Sequence, residues 1–196
     1  IEFLLADLRD SLAPDNARDA VLIAQISQQV VDHYQKLDSE RDTPEVKLEH
    51  AAKLLGVANI FRKMARFEEA AHLAQMSLDL RHSAGSKPDK NLLETLDLLG
   101  TCHNQLGHYP DAEKFYQLAI DETEHLPDAD AARTGRATGR LAEFYRQMGR
   151  YVEADDLHRQ AISRAEAKLP LDDLDLATRY NDYGELMRYR GRLDES

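Results

Sequence analysis

Apolar residues recur along this chain at spacings of three and four, the period of one face of an α-helix. Leu92, Leu96, Leu99 and Leu106 show it most plainly. The β-branched residues are scattered, with no alternation that would mark a strand. A longer interval is superposed on the short one. A shift of 42 residues lays Leu99–Tyr109 on Leu141–Tyr151, and the register holds through four copies. One column reads Ala65, Gly107, Gly149, Gly191; two residues on comes a large apolar column, Phe67, Tyr109, Tyr151, Leu193. Small residues follow at Ala70, Ala112, Ala154 and Ser196. Upstream, Val57, Leu99, Leu141 and Tyr183 precede the small column Ala58, Gly100, Ala142, Gly184.

Each copy reads as a helical hairpin. Glycine supplies the left-handed conformation that ends a helix, so Gly107, Gly149 and Gly191 are expected to stop the first helix of their copies. The second helix starts near Pro110-Asp111 or Val152-Glu153, and alanine at 112 and 154 lets the pair approach closely. Pro44, Pro88, Pro127 and Pro170 recur ahead of the first helices, each with an acid within two residues, which favours a helix N-terminus. Hairpins of this kind bury their apolar faces only by stacking on neighbours. The expected fold is therefore all-α, an α-solenoid of antiparallel helical hairpins. Its copies span 44–87, 88–127, 128–169 and an incomplete 170–196. Residues 1–43 fall outside the register and are expected to form an N-terminal helical cap over the first open face. That cap comprises a short amphipathic helix at Ile1–Leu8, a break around Pro14, and a longer helix over about 17–37 with Val21, Ala24, Val31 and Tyr34 along its apolar stripe.

Composition narrows the class. There are 36 acidic and 25 basic residues, a net charge of −11, which disfavours nucleic-acid binding because phosphate neutralisation needs clustered Lys and Arg. More than half of that charge lies in residues 1–50. No apolar run approaches the length of a membrane span, and the start has no basic flank of a signal peptide. Cys102 is the only cysteine, as in a reducing compartment, and the expected location is cytoplasmic.

Catalytic and metal chemistry find little footing. No glycine loop has phosphate-binding spacing. The eight histidines are dispersed, with no His-Glu-x-x-His motif, so no metal and no cofactor is expected. Cys102 shares a column with Ile60, Phe144 and Leu186 and reads as a buried structural residue. The carboxylate pairs Glu68-Glu69 and Asp155-Asp156 are expected on the outer face of second helices. Asp172-Asp173 is expected at a helix start. Gly135 and Gly139, four apart, read as a close helix contact. No catalytic residue is assigned, and the expected protein is not an enzyme.

The columns resemble the tetratricopeptide repeat, carried by Leu99-Gly100, Gly107-His108-Tyr109, Ala112-Glu113, Ala119-Ile120 and, most clearly, Tyr145–Ala154. The 42-residue period is similar to the long-helix repeats of kinesin light chains. Ala65 in place of glycine, and His103 where an aromatic ring usually packs, depart from the pattern. The resemblance implies a superhelix whose first helices line a concave groove. The groove columns are then Asn59, Thr101, Glu143, Glu185; Arg62, Asn104, Arg146, Arg188; Lys63, Gln105, Gln147; and Asp97 and Asn181 with Leu55 and Gly139. The arginine ladder suits carboxylates or a peptide backbone. Pairing of those arginines with Glu143 and Glu185 three residues away is the competing arrangement.

A non-enzymatic scaffold that binds a peptide or protein segment in the groove is the expected function. Residues 3–12 with the Ala/Val-rich helix after them also look like segments preceding such repeats in bacterial signalling proteins. That likeness implies the alternative of a sensor or dimerisation segment in a larger protein such as a bacterial kinase. Tyr180, Tyr183, Met187 and Leu193 would lack a covering neighbour, so a homo-oligomer through the incomplete C-terminal repeat is a further expectation.

Overall fold

The computed structural model describes residues 43–85, 87–124, 131–166 and 174–194, together with Gln25, Gln29 and Asp32, which are helical. The remaining cap residues, Pro127, Pro170 and Asp172-Asp173 lie outside the described residues. Among the described residues the secondary structure is helical throughout: α1 Pro44–Lys63, α2 Phe67–Ser83, α3 Lys90–Gln105, α4 Tyr109–Glu124, α5 Ala131–Gln147, α6 Tyr151–Glu166 and α7 Leu174–Asp194. By internal contacts the chain divides into two compact units, Ile1–Tyr109 and Pro110–Ser196.

In the first unit α1 packs on α2 and α2 on α3, with α1 and α3 touching as successive first helices. Thr43 caps α1, its hydroxyl accepting from the Val46 amide at 3.4 Å, and Pro44 takes the first turn, where its missing N–H costs nothing. Leu54, Val57, Phe61 and Leu73 are fully enclosed, each contributing about 2 kcal/mol by leaving water. Ala58 and Ala70 are equally enclosed, so the small columns sit where helices close on one another. Asp89 has two duties at the start of α3. Its carboxylate accepts from the Leu92 amide at 2.7 Å as an N-cap, and it takes two 3.0 Å bonds from Arg81 of α2. Arg81 is only 1% exposed, so Asp89 neutralises a buried charge while it fixes the helix start.

In the second unit α5 packs on α6 and α6 on α7. Ala112, Tyr116 and Ile120 of α4 meet Leu141 and Phe144 of α5 in one buried cluster, with the Tyr116 and Phe144 rings 5.7 Å apart. Tyr145 donates to Glu113 at 2.7 Å, and Arg150 joins the same carboxylate at 2.9 Å while lying 4.0 Å over the Tyr145 ring.

The three hairpin turns share one geometry. Ala65, Gly107 and Gly149 have φ of +57, +77 and +73°. At each, the turn residue's amide donates three residues back and the next amide donates five back, as in Arg150 to Tyr145 at 2.8 Å. Ala65 thus adopts a conformation that a Cβ opposes. The expected stop at Gly191 does not occur, because α7 runs helical through it to Asp194. Glycine permits a turn without compelling one. The other turns are held by a second helix packing back through an alanine. Asp155 also departs from expectation. Its carboxylate faces α7, where it accepts from Tyr183 and pairs with Arg190 at 3.9 Å, so it is not on an outer face.

Candidate functional site

On the first-helix face of the first unit, Asn59 of α1 donates to Glu94 of α3 at 3.2 Å, tying the two helices. Arg62 is half-buried and close enough to Cys102 to act on its thiol. Burial dominates that thiol all the same, pushing it up to about 11, so it is a poor nucleophile at neutral pH. Lys63 and Gln105 are exposed, while Asp97, Thr101 and Asn104 are half-buried along α3.

On the corresponding face of the second unit, the arginine column closes on its own helix. Arg146 donates to both oxygens of Glu143, at 2.7 and 2.6 Å, and Gln147 donates to the same carboxylate at 2.9 Å. The Arg146 bonds hold Glu143 below the ordinary carboxylate range. Arg188 lies 3.8 Å from Glu185, with both side chains exposed. Arg146 reaches α7 as well, its guanidinium 5.2 Å from the Tyr189 ring. Asn181 is exposed on α7.

Between α5 and α7 opens a cavity of about 370 Å³, within the range of small ligand pockets. Its wall includes Glu143, Arg146 and Glu185 from the expected columns, but also Arg136, Arg140, Arg179, Asp182 and, from α6, His158. Gly135 and Gly139 explain the opening. A Cβ at Gly135 would lie 1.0 Å from the Arg179 guanidinium, so glycine there seats a buried arginine. The close contact expected of the glycine pair is thus made by a side chain. At Gly139 a Cβ would meet nothing within 4 Å, and the missing side chain is left as space.

A family model for the tetratricopeptide repeat matches residues 49–121 and 133–196. The chain belongs to the tetratricopeptide repeat family. Among solved structures it is similar to two forms of a Podosopora anserina protein of nearly identical, kinesin-light-chain TPR-like repeats, one of them a point variant. Both are 13% identical over 99% of this chain, covering 87% and 86% of their own, with TM-scores of 0.71 and 0.72. It is also similar to BtubC (BKLC) from P. vanneervenii, 17% identical over 86% of this chain, with a TM-score of 0.67. This chain spans 65% of that protein's length. No curated protein sequence matches it.

The tetratricopeptide repeat is a protein-interaction scaffold, and the α5–α7 cleft is lined by charges of both signs. His158 is buried and its imidazole is held below its ordinary range by desolvation, against the pull of Asp182, Glu143 and Asp155. The Asp182 carboxyl is pushed up by its enclosure in the cleft, although the residue as a whole is exposed. Columns shared by all repeats do not reach Arg136, Arg140, Arg179, Asp182 or His158. A local signal was available: α5 carries four arginines and one carboxylate in a chain of net charge −11. Among the described residues, no helix is long and apolar enough to cross a membrane.

Proposed function

We propose that the chain is a non-enzymatic, cytoplasmic scaffold whose first-helix faces take a peptide or protein segment, in the second unit along the cleft of α5 and α7. The cavity between those two helices carries the reading. It is walled by side chains of both signs, which is what hydrogen-bonding a backbone and matching a charged side chain require. Arg62, Asn104 and their neighbours in the first unit are the corresponding surface there. The test is affinity capture with the wild-type chain and with Arg146→Glu/Arg188→Glu. Partners held by the wild type and lost by the variant are the expected result. An unchanged partner set overturns cleft binding.

A second reading, a dimerisation or sensor segment of a larger signalling protein, is favoured by one observation. Tyr180 and Tyr189 of α7 are 46% and 45% exposed. Tyr183, by contrast, is covered by α6, its ring 5.9 Å from His158. Light scattering at high concentration is expected to show a dimer on this reading, and a monodisperse monomer overturns it.

A further inference from the structure

One group in the wall of the α5–α7 cavity is both buried and without a hydrogen bond. His158 of α6 is 8% exposed, and among the described residues its imidazole neither donates nor accepts. A buried polar ring is ordinarily satisfied. Around it stand the Tyr183 ring, 5.9 Å away, and three carboxylates: Asp182 of α7, Glu143 of α5 and Asp155 of its own helix. Two of the three are taken. Both oxygens of Glu143 accept from Arg146, and Asp155 accepts from Arg159 at 3.1 Å and from Tyr183. Asp182 feels the charge of Arg179 and faces His158, but among the described residues its carboxylate accepts no hydrogen bond.

Space adjoins this pair. Gly135 meets Arg179 and Arg146 meets Tyr189, so α5 and α7 run parallel and Asp182 stands level with Gly139. A Cβ at Gly139 would meet nothing within 4 Å. Two repeats earlier the positions of Gly139, His158 and Asp182 are Leu55, Ala74 and Leu98, all buried. The first unit closes with apolar side chains the joint that the second lines with an imidazole, a carboxylate and open space.

We propose that His158 and Asp182 bind the side-chain carboxamide of a glutamine or asparagine on the partner segment, its NH2 donating to the Asp182 carboxylate and its oxygen accepting from the His158 N–H. The inference rests on the cleft-binding reading above. Charge near the pair is matched within the fold: Arg146 holds Glu143, Arg188 lies 3.8 Å from Glu185, and Arg140 and Arg179 are engaged. What the pair lacks is hydrogen bonds. Desolvation keeps the imidazole neutral at pH 7, with one N–H to donate, while the carboxylate only accepts. A neutral carboxamide complements both without adding a charge to a matched set. Burial of His158 selects a side chain over the backbone, because a group extended from the segment is what reaches the cavity wall.

The test is calorimetry at neutral pH on the full chain, with degenerate peptide pools that differ only in a fixed central residue: glutamine, asparagine, methionine, glutamate or lysine. One of the two amide pools is expected to bind about tenfold more tightly than the methionine pool and than either charged pool. Asp182→Ala and His158→Ala are each expected to remove that preference and to leave the affinity for the methionine pool unchanged. Melting temperatures report that the fold persists, and Asp182→Ala, at an exposed helical position, decides the matter alone should His158→Ala not fold. Equal binding of all pools overturns the carboxamide site and leaves cleft binding standing. Tightest binding of the glutamate or lysine pool overturns it in favour of a charged side chain. A preference that survives both substitutions overturns the assignment to this pair, and no binding by any pool overturns both readings.

Discussion

The two units build the same hairpin register and fill the joint between their first helices in opposite ways. In the first unit Leu55 of α1 is buried, Thr95 of α3 is buried with its hydroxyl turned onto the Asn91 carbonyl at 2.7 Å, and Ala74 of α2 is fully enclosed. Two repeats later the same three positions are Gly139, Arg179 and His158. An apolar, filled joint has become a cavity with a buried arginine on one wall and a buried imidazole on another. The backbone geometry of the hairpins tolerates both because stacking is carried elsewhere, by Leu99 and Leu141 and by the small columns at 58, 70, 142 and 154. A repeat scaffold can therefore fill one joint and leave another open.

That contrast predicts opposite signs at one register position, and this is the largest effect expected. Leu55→Ala should cost about 3 kcal/mol in chemical denaturation, through lost transfer energy and the void left behind. Gly139→Ala should instead add up to about 1 kcal/mol, since the new methyl meets no atom and the helix gains a better former. A destabilised Gly139→Ala would mean that the space beside Gly139 is not open, and the contrast would collapse.

A somewhat smaller loss is expected where the first unit does bury a charge. Asp89→Ala removes the cap of α3 and leaves Arg81 enclosed without its carboxylate. Asp89 itself is 45% exposed, so water partly replaces it and the loss should be about 2 kcal/mol, below that of a fully buried pair. Asp89→Asn keeps a capping oxygen and isolates the charge; a full recovery in that variant would show that the cap alone matters.

The turns give a third comparison, of about 1 kcal/mol or less. Ala65→Gly should stabilise the first unit, because its φ of +57° is open to glycine without the Cβ penalty, offset in part by the freer unfolded chain. Gly149→Ala should destabilise the second unit by a similar amount, its φ being +73°. Denaturation midpoints that move in the same direction for both would remove the turn argument.

These positions also show why the sequence was uneven as a guide. The turns at 65, 107 and 149 were legible because a left-handed residue between two amphipathic stretches is a local requirement, visible wherever it recurs. Gly191 shows the limit of that signal: a glycine permits a turn without compelling one, and α7 runs helical through it. Asp155 was misplaced because a hairpin has two polar flanks, and spacing alone does not say which of them meets α7. The cleft was only half legible. Glu143, Arg146 and Glu185 stand in columns that every copy shares. Arg136, Arg140 and His158 of the third copy and Arg179 of the fourth each depart from the residues at their equivalent positions, so no repeated column contains them. Gly139 differs from its expected close contact because sequence spacing distinguishes a small residue that admits a neighbour from one that leaves a void only when the neighbour is known.

The smallest effect concerns pH, and it tests whether the third substitution of the register, Ala74 to His158, sets the units apart. His158 is 8% exposed and desolvation holds its pKa below the ordinary 6.5, so the folded state binds its proton less readily than the unfolded chain does. The sign follows: its contribution is present above pH 6.5 and is lost as pH falls through the depressed folded value. Asp182, Glu143 and Asp155 face the imidazole and moderate the loss by favouring its charged form. Ala74 cannot titrate. Exchange protection, corrected for intrinsic rates, should therefore fall in α6 and α7 as pH drops below 6.5 while α2 and α3 hold theirs, and His158→Gln should abolish the difference. Equal loss in both units would place the acid sensitivity elsewhere, and would leave His158 as a filler of the cleft floor with no titration that the fold feels.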